Sequence, residues 1–216
     1  LCQNFNDKKI IKINKYVNFF GENKLDNILL DTDIKKNFDF LSIDIDGCDY
    51  YIFQSLELYR PKIVCIEFNH LIPNSVNFVQ EKNFQIKQGS SARSLVELAN
   101  SKNYQLVATS FSNLFFIDKS YSHTVIDSEI FIDDLIDDSE IKNFIFPGYD
   151  GTLHTTKPVK LGWHKLDIKN EKIQILPSYL RNFPDDYNIF QKIFFLIFRE
   201  FFNPGRFLKK IFKRLK

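Results

Sequence analysis

Six residues between positions 44 and 70 have the side chains and spacing to do chemistry. Asp44, Asp46 and Asp49 fall in the run DIDGCD, and Glu67, Asn69 and His70 in the run EFNH. Carboxylates can take up a proton or hold a hard cation. A histidine with an unperturbed pKa near ~6.5 can serve as a general base. Asp44, Asp46, Glu67 and Asn69 all offer the hard oxygen atoms that Mg²⁺ prefers. A calcium loop of the EF-hand type fails on spacing. With Gly47 at the sixth loop position, Ser42 stands first and Phe53 stands where the bidentate Glu must be. Structural roles compete with these. Asp49 opens a helical pattern and could cap it. Asp46-Gly47 has the composition of a tight turn that needs positive φ. A loop position explains His70, and helix capping explains Ser90 and Ser91 in Gly89-Ser90-Ser91.

The surrounding elements must bring these residues together. Phe40-Leu41-Ser42-Ile43 is a short β-rich run ending at Asp44. A helical period follows, with Ile52, Phe53, Leu56 and Tyr59 on one face, until Arg60-Pro61 stops it. Lys62-Ile63-Val64-Cys65-Ile66 is almost wholly apolar, as in a strand covered on both faces, and it ends at Glu67. Open α/β sheets bind ligands outside the carboxyl ends of their strands. Two adjacent strands therefore deliver Asp44, Asp46, Asp49, Glu67 and Asn69 to one rim. Residues 9–13 read as a further strand, 25–30 as a short helix and 74–88 as a polar loop over the rim. A helix follows Ser91 with Ala92, Leu95, Val96 and Ala99 on its core face. Gln105-Leu106-Val107-Ala108-Thr109 and Asn113-Leu114-Phe115-Phe116-Ile117-Asp118 form a hairpin.

This series resembles the FkbM-type branch of the class I S-adenosylmethionine-dependent methyltransferases. That branch carries an apolar strand ending in D-x-D/E-G-x-D/E, a helix, a Pro and a strand ending in I/V-E. The resemblance spans roughly residues 10–118 and departs chiefly at Cys48, where relatives tend to have Asn. It implies a Rossmann-like α/β fold with a mainly parallel sheet ending in an antiparallel hairpin. It implies S-adenosylmethionine as cofactor, with Asp44 beside the cofactor's methionine end and the substrate. Asp44 and Asp46 are then the cofactor-binding candidates, and Asp44 and His70 the candidates for proton removal. Glu67, Asn69 and Ser90 are expected to meet substrate. Asp44, Asp46, Glu67 and Asn69 form the set for a magnesium ion, which some class I O-methyltransferases use. The Gly-rich cofactor loop of the class is missing, and the chain starts at Leu1 and contains no Met. It is therefore expected to be the carboxyl part of a longer protein and inactive alone.

Length and composition divide the chain into three expected segments: a partial methyltransferase domain at 1–118, an irregular acidic extension at 119–188 and a basic aromatic helical tail at 189–216. Hydrophobic residues make up 44% of the chain, enough for a sizeable core. Three cysteines without metal-type spacing suggest reduced thiols in the cytoplasm. The net charge of +2 conceals an asymmetry. Residues 189–216 hold eight Lys or Arg against Glu200 alone, a net of +7, which leaves −5 for the other 188 residues. The apolar run 193–198 is too short to span a bilayer. Eight Phe within 189–216 beside that positive charge suit an anionic membrane surface, at the inner face of the membrane, better than nucleic acid.

The expected function is O-methylation of a glycan, glycolipid or related hydroxyl acceptor. Two rival readings stand beside it. Asp44-Ile45-Asp46 also fits the D-x-D motif by which GT-A-type glycosyltransferases hold a metal and a sugar nucleotide. A non-catalytic interaction module on the same fold is the other.

Overall fold

A computed structural model describes residues 10–125 and 128–202, which fall in two compact units, 1–142 and 143–216. The first is built on a four-stranded sheet of order β1-β2-β4-β3. β1 (Phe40–Ile43) and β2 (Ile63–Glu67) are parallel neighbours, with Phe40 opposite Ile63 and Ile43 opposite Ile66. Parallel strands need a crossover connection. α2 (Asp49–Ser55) supplies it, burying Ile52 and Phe53. Val64, Cys65 and Ile66 are consecutively buried, because helices or loops cover both faces of β2.

β4 (Asn113–Asp118) runs antiparallel on the far side of β2, and β3 (Tyr104–Thr109) runs antiparallel to β4. A register shift between Leu106 and Ala108 bulges β3 at Val107. α3 (Ala92–Ser101) opens at Ser91, whose hydroxyl accepts from Ser94 N at 3.2 Å, and packs Leu95, Leu98 and Ala99 inward. Phe53, Val64, Ile66, Leu95, Leu114 and Phe116 form the centre of the core. The Tyr104 ring meets Phe53 edge-on at 5.7 Å, and its hydroxyl donates to Pro61 O at 2.6 Å.

α1 (Leu25–Leu30) is as expected, but it is anchored by a group the sequence pattern does not mark. Asp26 is 1% exposed and its carboxylate accepts from the backbone N–H groups of Glu57, Leu58 and Tyr59 at 2.8 to 3.2 Å. It thereby fixes the turn between α2 and β2. α4 (Ile132–Leu135) packs Ile132 and Leu135 against the core of this unit, and Asp138 accepts from Asn74 N at 2.8 Å.

Two expectations are corrected. Residues 10–13 form no strand, and Ile10, Ile11 and Ile13 are 47%, 70% and 41% exposed. A strand exists only through its ladder, and among the described residues this one has no partner. The sheet is consequently mixed, with one parallel and two antiparallel pairings, rather than mainly parallel.

The second unit carries two short hairpins, β5 (Ile145–Pro147) with β6 (Leu153–Thr155) and β7 (Val159–Leu161) with β8 (Leu166–Ile168). α5 (Ile189–Phe202) follows. Residues 203–216, the rest of the expected tail, lie outside the described residues.

Replacing Asp26 with Ala leaves the buried Tyr59 N–H without its acceptor. Urea denaturation should show a loss of about 2 kcal/mol, the scale of one unsatisfied buried group.

Candidate active site

β1 stops at Ile43, and the carboxylates after it are placed by a turn rather than by strand alternation. Asp46 has φ +56° and Gly47 φ +149°, both outside the range that most residues adopt. Asp49 organises this turn. Its carboxylate is buried, 3% exposed, and accepts from Ile45 N and Gly47 N at 2.9 Å each. Asp49 is thus the first residue of α2, behind Cys48 as N-cap, and its side chain reaches back to the turn rather than capping the helix. Burial pushes its pKa up, opposed by those amide bonds.

The loop 74–88 closes on the turn through Gln80, which is 1% exposed. Its amide nitrogen donates to Cys48 Sγ at 3.2 Å and to Ile86 O at 3.0 Å, while its oxygen accepts from Gln88 N and Gly89 N. A side chain at residue 47 would put its Cβ 2.9 Å from Ile86 O, so glycine is required there by contact as well as by φ. The same loop brings Lys87 Nζ to 3.7 Å from Asp46, with both groups largely exposed. Neither Gln80 nor Lys87 belongs to a motif, and only the loop's position over the rim could have pointed to them.

Asp44, Asp46 and Glu67 converge, their carboxylate oxygens lying within 4.8 Å of one another. Asp44 and Asp46 are exposed and Glu67 is half-buried. Burial first, and then the negative charges of Asp44, Asp49 and Asp46, push the Glu67 pKa up to about 7. Asn69 is tied into the loop. Its amide nitrogen donates to Gln88 O at 2.7 Å and its oxygen accepts from Leu71 N at 2.9 Å, so its side chain is engaged in shaping the loop. Among the expected magnesium ligands, Asp44, Asp46 and Glu67 converge.

His70 packs its ring against Phe111, centroids 4.2 Å apart, and burial holds its pKa below the usual value. Ser90 is 2% exposed, and its backbone oxygen accepts from Asn69 N at 2.9 Å. Its hydroxyl is buried without a hydrogen-bond partner among the described residues. Such a group is costly unless a ligand satisfies it. Cys48 and Cys65 are buried and reduced, with thiol pKa values raised by burial, so neither is a nucleophile.

Residues 22–106 match the family model described as the methyltransferase FkbM domain. This segment is similar to a methyltransferase domain of the FkbM type. No curated protein and no solved structure matches the chain. The match covers α1, β1, α2, β2 and α3, and with them the whole acidic rim. It supports a transferase of this class over the GT-A reading of Asp44-Ile45-Asp46, since the FkbM pattern accounts for the turn, the helix and Glu67 together.

Carbon-detected NMR should place the Glu67 midpoint near 7, and Asp44→Asn should lower it, because a neighbouring negative charge is removed. The sign for folding follows. The folded state holds this proton above the ordinary value of 4.5, so the contribution of Glu67 to stability is lost as pH rises from about 4.5 through 7.

Proposed function

We propose that this site transfers a methyl group from S-adenosylmethionine to a hydroxyl oxygen of a glycan, glycolipid or related acceptor. The meeting of Asp44, Asp46 and Glu67 at the strand-end rim of an FkbM-type segment carries the proposal. S-adenosylmethionine supplies an electrophilic methyl and bears two positive centres, a sulfonium and an ammonium. The chemistry of the donor set fits that group, because the exposed carboxylates of Asp44 and Asp46 complement positive charge and would hold it. The buried, unpartnered hydroxyl of Ser90 can satisfy a polar group of the ligand. In the rival arrangement a magnesium ion occupies the same trio, whose carboxylates are then all ionised.

Glu67 takes the acceptor's proton as the hydroxyl oxygen gains the methyl group. A carboxylate with a pKa of about 7 is substantially ionised at neutral pH, and it is a far better base than an ordinary one. This moves proton removal from Asp44 or His70, where the sequence reading put it, to the half-buried member of the trio. The remainder of the rate comes from holding acceptor and donor together, which can supply about 7–11 kcal/mol.

Single-turnover transfer from methyl-labelled S-adenosylmethionine to methyl glycosides tests this in protein expressed from its whole gene. The wild-type rate should rise with pH through about 7. Glu67→Gln should be slower by at least ~10²-fold and flat with pH. Full speed in Glu67→Gln removes the base, and no transfer by wild type to any glycoside removes the reading.

For α5 we propose an interfacial role at an anionic membrane surface, which goes with a cytoplasmic protein seated at the inner face. No described helix is long and apolar enough to cross a membrane. α5 has no buried residue, and Ile189, Phe190, Ile197 and Phe201 are 63–86% exposed. Phe194 and Phe195 touch Tyr179 and Tyr187, with ring centroids 5.8 and 5.5 Å apart. Apolar area beside the +7 charge of 189–216 is the combination an acyl boundary rewards, with about 1 kcal/mol per Lys or Arg near the surface. The chain should co-sediment with anionic vesicles and be released by salt, whereas a chain ending at Tyr187 should stay in solution. Equal partitioning of the two would dismiss the anchor.

A further inference from the structure

Phe111 has no part in the core. It is 79% exposed in the turn between β3 and β4, flanked by Ser110 and Ser112. The turn is already closed without it, by Ser110 N donating to Asn113 O at 2.8 Å and Thr109 Oγ1 donating to the same oxygen at 3.1 Å. Tight turns favour small polar residues, so a phenylalanine at this tip has no local folding reason. Its position is what distinguishes it. Asn113 stands opposite Glu67 in the β2–β4 register, and Phe68 N donates to Ser112 O at 2.8 Å. The turn therefore stands at the carboxyl end of β2, next to the proposed base, with the His70 ring 4.2 Å away at 45°.

We infer that Phe111 and His70 form a stacking platform beside Glu67 that takes the flat C–H face of a pyranose ring in the acceptor. The inference rests on the proposed methyl transfer and narrows its acceptor. A pyranose is amphipathic, with C–H bonds on its faces and hydroxyls around its edge. An exposed aromatic ring suits the face, and carboxylates accept hydrogen bonds from the edge. Asp44, Asp46 and Glu67 lie at the same strand ends to receive those hydroxyls. The acidic rim at the same time repels phosphorylated or carboxylated acceptors, and an open-chain alcohol has no face to stack.

Saturation-transfer difference NMR on the full chain, without any methyl donor, tests the platform. The probes are methyl β-D-galactopyranoside and methyl α-L-rhamnopyranoside, with catechol and glycerol as controls. Ring C–H protons of at least one pyranoside should be saturated in the wild type. Phe111→Ala and Phe111→Leu should each reduce that signal about fivefold or more, while Phe111→Trp retains it. Ring saturation in a wild-type protein that transfers no methyl group separates a failure of the reaction from a failure of the platform. An undiminished signal in Phe111→Ala overturns the inference. So does saturation of catechol or glycerol with neither pyranoside, or of no probe at all.

Discussion

The site depends on the buried carboxylate of Asp49. Its two hydrogen bonds to Ile45 N and Gly47 N hold the turn in which Asp46 and Gly47 take positive φ, and without that turn β1 and α2 could not deliver Asp44 and Asp46 to one rim. Burying an ionised acid is unfavourable unless donors meet it. The turn's own amides are those donors, so the backbone conformation and the buried charge support each other. Gln80 then closes the loop over the side left open by Gly47, with four polar partners converging on one amide. An amide of that kind, fully satisfied and buried, specifies a single loop conformation.

The same Asp49 has an electrostatic consequence. Four acids stand close together, and the strain of like charge is relieved where protonation costs least. Asp44 and Asp46 are exposed, so water screens them. Asp49 is the most buried of the four but has two amide donors that favour its charged form. Glu67 is half-buried, and burial is the chief cause of its shift, with the neighbouring charges adding to it. It is therefore the group that takes up a proton near neutrality. Lys87 does little to offset this, because an exposed pair is worth at most about 1 kcal/mol. A carboxyl group that holds its proton near neutral pH thus follows from partial burial beside the acidic turn.

Much of this was legible in the sequence, and the parts that were not have a common cause. β1, α2 and β2 could be read because hydrophobic periodicity changes from strand to helix and back, with Arg60-Pro61 marking the stop. The hairpin of β3 and β4 and the Ser91 cap were equally local signals. Residues 10–13 misled because apolar β-branched residues suggest a strand whether or not a ladder partner exists. Asp49 misled for a related reason. An Asp at a helix start looks like a cap, and only the backward course of the turn reveals that it serves Ile45 and Gly47 instead. Asp26, Gln80 and Phe111 make their important contacts with segments distant in sequence, or stand at a rim defined by other strands. No window of neighbouring residues could show them.

The second unit obeys a different constraint. Among its described residues only Leu180 and Tyr187 are buried hydrophobics, while Phe144, Tyr149, Trp163, Phe190 and Phe201 are between 67% and 94% exposed. Two-stranded hairpins of three residues per strand bury little and are marginal by themselves. The polar ties of this unit are local, such as Gln174 bonding both the N–H and the C=O of Leu153. They fix the conformation of loops more than they supply cohesion, since a net hydrogen bond contributes only about 1 kcal/mol. Apolar surface that the unit cannot bury internally gains most from an external apolar phase, and binding that favours the folded form adds to its stability by mass action. The aromatic content of this unit and the basic charge of 189–216 thus favour the same kind of partner, an anionic surface with an apolar interior. With the anchor proposed for α5, the small internal core is what such a unit can sustain when part of its burial is left to that surface.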